Sequence, residues 1–263
     1  TSDTAQIGVG TGSSLISIEG VPGVHGVWEN SGDAFVGGSD TGPDANGNLR
    51  LFDNESRIDI GGTLTVWGPG SVRISGGEFN ADVIDDTHGG AFEFNVGTLR
   101  VNRFDGNLIN PAGTLAPGVD ADTGATLIDG NYTQQSAGTL ALDIGGTGPG
   151  STHDLVTSTG DAQIDGLLEL SLINGFTPNA ADEFTVLAAD SLFGVFDNVS
   201  TGQRLGTLDG GGSFVVNYGI GSAWDEELNA RIGEISCLTL IVHGTKDVRV
   251  PLDAVQKLRR EIP

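Results

Sequence analysis

The tripeptide Gly-Thr-Leu recurs at residues 62–64, 97–99, 113–115, 138–140 and 206–208, and several copies run on into alternating apolar residues. Gly62-Thr63-Leu64 leads to Val66, Gly97-Thr98-Leu99 to Val101, and Gly138-Thr139-Leu140 to Leu142 and Ile144. Gly47-Asn48-Leu49, Gly106-Asn107-Leu108 and Gly166-Leu167-Leu168 are close variants. Alternation with period two puts Leu64 and Val66, or Leu140, Leu142 and Ile144, on one face of a short strand. The glycine ahead of each strand supplies a corner that a residue without Cβ enters freely. Between these units the chain is punctuated by Gly-Gly, Gly-Pro, Asp-Gly and Asn-Gly, which leaves no room for amphipathic helices.

A corner and a short strand repeated this often predict an all-β fold. Irregular spacing suits a right-handed parallel β-helix (β-solenoid) whose turns accept insertions. At about 20 to 25 residues per coil, residues 1–225 make roughly nine to eleven coils. The rival is an antiparallel sandwich or jelly roll. It is strongest over 130–220, where Thr139–Ile144, Ala162–Ile173, Glu183–Ala188 and Ser213–Tyr218 read as strands. An antiparallel terminal subregion is therefore allowed for.

Composition changes near Trp224. Residues 1–225 hold six Arg, no Lys and 29 acidic residues, a formal charge of −23, whereas 226–263 balance six basic residues against six acidic ones. Of the 43 Gly, 41 precede this seam. Two units follow: an acidic, glycine-rich β-solenoid (1–225), and a tail (226–263) too short to be an independent domain. Strong acidity repels nucleic acid and anionic membrane, and no apolar run approaches spanning length. With no Met and a first residue Thr1, the chain reads as a processed form or a segment.

Ile74-Ser75-Gly76-Gly77, Gly97-Thr98-Leu99-Arg100-Val101, Gly113-Thr114-Leu115-Ala116-Pro117-Gly118 and Gly130-Asn131-Tyr132-Thr133-Gln134 follow one another in the chain. His153-Asp154-Leu155-Val156, Gly194-Val195-Phe196 and Val215-Val216-Asn217-Tyr218 come after them. This succession, across residues 47–220, resembles autotransporter-associated β-solenoid repeats of bacterial surface passenger proteins. The resemblance implies an exported, stacked-coil passenger or stalk, extracellular or on the bacterial cell surface, without catalytic residues in the repeat.

The tail has a different texture. Leu238-Thr239-Leu240-Ile241-Val242 is apolar almost throughout and reads as a buried strand, which expects neighbours on both sides that the tail does not contain. A helix over Asp253–Glu261 follows, with Pro251 in its first turn. Leu240-Ile241-Val242-His243-Gly244-Thr245-Lys246-Asp247 with Val250-Pro251 resembles the late strand and acid turn of α/β-hydrolases, although Leu238 stands where that family usually has Pro. By that resemblance Asp247 falls at the triad acid, which would orient a catalytic His. No Gly-x-Ser-x-Gly elbow occurs in the chain, so Asp247 reads as an orphan without nucleophile, base or oxyanion hole.

Other residue groups have bland readings. Asp40, Asp44, Asn46 and Asn48, and separately Asp120, Asp122 and Asp129, offer oxygen ligands but lack a calcium-loop register, so turn chemistry is expected instead. His25, His88 and His153 have no partner at zinc spacing. Trp28, Trp67 and Trp224 would make a carbohydrate platform only if they shared a face. Cys237, the only Cys, reads as a buried inert thiol, and the Lys257, Arg259, Arg260 run as a solvated helix face. The expectation is a non-enzymatic surface passenger or stalk with a structural or adhesive role, needing no cofactor or metal, whose ligand is a surface glycan or protein. The alternatives are a truncated or fused α/β-hydrolase-related protein and, third, a carbohydrate-binding or carbohydrate-cleaving β-helix.

Overall fold

A computed structural model describes residues 2–20, 25–118, 123–219 and 239–244, and every regular element among them is a β-strand. In chain order these are β1 (Ser2–Ile7), β2 (Ser13–Ile18), β3 (Val27–Val36), β4 (Gly38–Ser39), β5 (Gly42–Pro43), β6 (Asn46–Leu51), β7 (Arg57–Val66) and β8 (Gly70–Asp85). Next come β9 (Ala91–Asp105), β10 (Leu108–Asn110), β11 (Thr114–Leu115), β12 (Ala125–Asp129), β13 (Tyr132–Gln134), β14 (Thr139–Ile144) and β15 (Leu155–Ser158). The last are β16 (Ala162–Ile164), β17 (Leu167–Leu172), β18 (Glu183–Ala189), β19 (Leu192–Gly194), β20 (Arg204–Gly206), β21 (Ser213–Gly219) and β22 (Thr239–Gly244).

These strands form a 16-stranded sheet, a four-stranded sheet and a two-stranded hairpin. The main ladder runs β1, β3, β7, β8, β9, β12, β15, β18, all parallel. Successive Cα partners in it lie 20 to 31 residues apart, from Glu78 opposite Thr98 to Val156 opposite Leu187. A second parallel ladder joins β2, β6 and the first parts of β8 and β9. From Thr98 onward each pass of the chain feeds three ladders in a fixed order. β12, β13 and β14 are followed by β15, β16 and β17, and β10, β13, β16 and β19 make up the four-stranded sheet.

The Gly-Thr-Leu steps explain part of this register. Thr98, Thr114, Thr139 and Leu167 are successive Cα partners, so Leu99, Leu115, Leu140 and Leu168 stack directly upon one another. Ile58 and Phe79 continue the column beyond Leu99, and all six side chains have 0% exposure. Each contributes about 1.5–3 kcal/mol of burial, but only while its neighbours in the column hold their places. Leu64, Ile84, Phe104 and Ile128 form a parallel column. Two polar intrusions are satisfied: Thr126 Oγ1 donates to Val101 O (2.6 Å) and Ser158 Oγ to Gly130 O (2.6 Å).

At one bend within β8, Gly77 has φ +66°, and a Cβ there would stand 2.2 Å from the Ser56 carbonyl oxygen. Both the left-handed backbone and the packing therefore demand glycine. At the other end of the stack the exposed edge of β17 is closed. Asn198 exchanges two hydrogen bonds with Leu168 (Leu168 N to Oδ1 3.1 Å, Nδ2 to Leu168 O 2.8 Å), Leu208 N donates to Leu170 O, and Leu172 N donates to Asp209 Oδ1. Two side chains and one backbone amide thus occupy ladder positions that would otherwise recruit another strand.

The strands of the rival sandwich are present, but β14 pairs parallel with β17 and β18 parallel with β15. Antiparallel pairing of strands among the described residues is confined to β4–β5 and β20–β21. The antiparallel terminal subregion therefore reduces to one hairpin. Gly206-Thr207-Leu208 departs from its namesakes: Leu208 is 66% exposed, because Asp209-Gly210-Gly211-Gly212 turns the chain before any strand follows.

The apolar strand expected at 238–242 is β22, and the large sheet supplies the neighbours that the tail lacks. It lies between β18 and β21, parallel to both, with Leu240 opposite Phe184 on one side and Val216 on the other. Asp247, the helix expected over Asp253–Glu261, Cys237 and Trp224 lie outside the described residues. No helix among the described residues is long and apolar enough to cross a membrane.

Candidate functional site

The outward-facing positions of the main ladder form lines of charge. Glu29, Asp59, Asn80 and Arg100 are successive Cα partners. Arg57 bridges Asp59 (2.7 Å) and Glu29 (3.8 Å), while Asn80 Nδ2 donates to Asp59 (2.7 Å) and Glu78 (2.9 Å). One strand further along, Arg103 reaches Asp105 (2.5 Å) and Asp129 (3.1 Å). Exposed pairs of this kind are worth about 0–1 kcal/mol each. Their consequence is a hydrated outer face on which opposite charges of neighbouring strands meet.

The most distinctive chemistry is buried. Period two along β15 sends Val156 and Ser158 inward, and the same phase sends Asp154 inward ahead of them. His153 and Asp154 are 1% and 2% exposed. Asp154 accepts from Gly124 N at Oδ1 (2.7 Å) and from Asp143 N at Oδ2 (2.8 Å). His153 Nδ1 lies 3.2 Å from Gly146 O and Nε2 lies 3.1 Å from Thr185 O, with the ring edge-on to Phe184. The dipeptide thereby ties β12, β14 and its following loop, and β18 to the start of β15.

Burial pushes the Asp154 carboxyl up to about 7, against the two backbone donors that pull it down; Asp143 nearby adds to the rise and Arg100 opposes it. Burial also lowers the His153 imidazole, against the two carbonyls that would favour its charged form. A neutral imidazole can donate to only one of those carbonyls, so neither protonation state is free of cost. The alternation of Asp154, Val156 and Ser158 carries this signal in the sequence, where the pair otherwise stands out only within His153-Asp154-Leu155-Val156 and His153 as a histidine without a partner at zinc spacing.

Such an arrangement ties neighbouring strands together. The four hydrogen bonds of the pair run to backbone groups, and both side chains lie beneath the surface. Elsewhere, Asp86 is half-buried beside Asp85, and burial followed by that neighbour pushes it up to about 6.

The remaining candidates are dispersed. Asp44 accepts from Gly10 N (2.8 Å), while Asn46 and Asn48 lie on β6 opposite Ser13 and Leu15. Asp129 is engaged by Arg103 and Thr159, and Asp120 and Asp122 lie outside the described residues. No three His, Cys, Asp or Glu side chains among the described residues are grouped to hold a metal ion. His25 pairs with Glu55 (3.0 Å), and His88 pairs with Asp85 (3.1 Å) and stacks on Trp67 at 4.2 Å. Trp28 is opposite Ile58 at the start of β7 and packs on the core, whereas Trp67 follows Val66 at its far end. The two rings therefore do not form one platform.

No protein-family model matches the chain, and neither the curated proteins nor the solved structures contain a match.

Proposed function

We propose that residues 1–225 form a right-handed β-solenoid that serves as a non-enzymatic passenger or stalk, extracellular or on a bacterial cell surface, with a structural or adhesive role. The observation that carries the reading is the register. Eight main-ladder strands follow one another in parallel at 20 to 31 residues per step, with side ladders advancing alongside. At about 4.8 Å per strand, ten parallel strands counting β22 and β21 make a stack of roughly 45 Å. Stiffness comes from columns such as Leu99 to Leu168, and the ligand, a surface glycan or protein, meets the hydrated outer face. The resemblance of residues 47–220 to autotransporter-associated repeats supplies the setting.

Beads coated with the purified chain and tested on glycan and matrix-protein arrays should bind a restricted set of spots, and uniform silence would remove the adhesive role. The competing reading, a truncated or fused α/β-hydrolase, rests on Asp247. It requires that the chain hydrolyse a short-chain p-nitrophenyl ester and that Asp247→Asn abolish the activity. The solenoid reading expects no turnover in either protein.

A further inference from the structure

The place of β22 in the sheet suggests more than a cap. Its two neighbours are separated in sequence by about one ladder step yet do not pair directly; β22 fills the gap between their facing edges, one strand wide. That gap is about 9.5 Å across, two strand spacings. Its walls are held by contacts that do not involve β22. Phe184 of β18 and Phe214 of β21 meet edge-to-face at 5.6 Å. Tyr218 Oη donates to Val199 O (2.9 Å) and accepts from Phe196 N (3.2 Å). The far edge of β18 is paired with β15 and that of β21 with β20.

Such a gap takes one extended segment running parallel to both walls, recognised through main-chain hydrogen bonds. A Pro, or a charge carried inward, would be rejected by a central ladder position. Residues 239–244, Thr-Leu-Ile-Val-His-Gly, meet the first demand and hold no Asp, Glu, Lys or Arg.

We propose that the gap between β18 and β21 is an exchangeable strand-acceptor site, and that its second occupant is the Thr239–Gly244 segment of another copy of this chain. Residues 220–238 number 19 and separate donor from acceptor wall. Fully extended they reach about 60 Å, enough to deliver the strand to its own gap or to a neighbour's. Identical backbone pairing forms either way, so the choice is decided by the effective concentration of the tethered strand, on the order of millimolar for a short tether. Exchange between two copies closes a symmetric dimer.

The test is the full chain refolded at ~10 µM and at ~1 mM, then diluted and sized by chromatography with light scattering. The dimer-to-monomer ratio should rise about fiftyfold across that range, by mass action. A variant lacking residues 225–237 keeps every described strand but leaves six residues between Gly219 and Thr239, fewer than the dozen or so that a parallel crossover needs. It should be dimeric at both concentrations. Ile241→Pro removes a ladder donor from the transferred strand and should stay monomeric, with amide protection retained in β14 and β17. A monomeric deletion variant, or Ile241→Pro dimerising as the wild type does, overturns the proposal. If Ile241→Pro loses protection throughout, the deletion variant decides alone.

Discussion

Leu140→Ala is the most direct probe of the stacked columns. Leu140 is fully buried, with Leu115 and Leu168 directly above and below it as Cα partners. The substitution removes three side-chain carbons, a transfer loss of about 2.4 kcal/mol at ~0.8 kcal/mol per methylene. Ladder hydrogen bonds hold the flanking strands at fixed spacing, so the column cannot close over the gap. If half of the roughly 80 Å³ vacated stays empty, a cavity term of about 1 kcal/mol is added. The expected cost is about 3.5 kcal/mol, within the range of buried Leu→Ala changes. Urea unfolding followed by far-UV circular dichroism measures it, and hydrogen exchange should show the loss concentrated in β11, β14 and β17. Leu167→Ala is the control. Leu167 stands one residue ahead of the column, points outward and is 40% exposed, so its loss should cost no more than about 1 kcal/mol. A cost below about 1 kcal/mol at Leu140, or equal costs at the two sites, would refute the column as the source of stability.

Glycine substitution separates corners that are packed from corners that are open. Gly77→Ala places a methyl against Ser56 O in a left-handed backbone and should cost at least about 2 kcal/mol, whereas Gly175→Ala, at φ +68° with nothing within 4 Å, should cost about 1 kcal/mol; equal shifts in melting temperature would count against the close approach. The His153–Asp154 pair makes a prediction about pH. Folded Asp154 titrates near 7 and unfolded Asp near 4, so its contribution is complete below pH about 4 and is lost as pH rises through 7. Folded His153 titrates below its unfolded value, so its contribution is present above pH about 6.5 and is lost as pH falls. Just below pH about 6.5 the two slopes oppose each other. Relative to wild type, Asp154→Asn should therefore lose stability on acidification, and His153→Gln should lose it on moving from pH 5 to 7, both read from urea midpoints. Parallel curves for all three proteins would mean that the pair does not titrate as a unit with folding.

Much of the inward and outward order was legible in the chain. Leu64 with Val66, Leu99 with Val101, and Leu140 with Leu142 and Ile144 are buried as their alternation requires, because a strand's two faces follow from its own backbone pleat. The seam near Trp224 was equally plain, but not its structural consequence. Gly206-Thr207-Leu208 shows the limit of a local motif, since the same three residues make a core step at 138–140 but here end a strand with Leu208 exposed. The candidate site was least legible: Asp154 looked like one acid among 35, and only its phase with Val156 and Ser158 marked it as inward.

By itself, then, the sequence determined strands, corners and the phase of each strand, all of which depend on residues within a few positions of one another. Tertiary structure alone decided which strands pair, in which direction, and what each gap accepts. Pairing partners lie 20 to 31 residues apart along the main ladder up to β18, and more than 50 between β18 and β22. Parallel or antiparallel alignment turns on where the intervening chain crosses, which no local pattern encodes. The same reason places an apolar strand from the chemically different tail between β18 and β21, where the open edges of two earlier strands meet it.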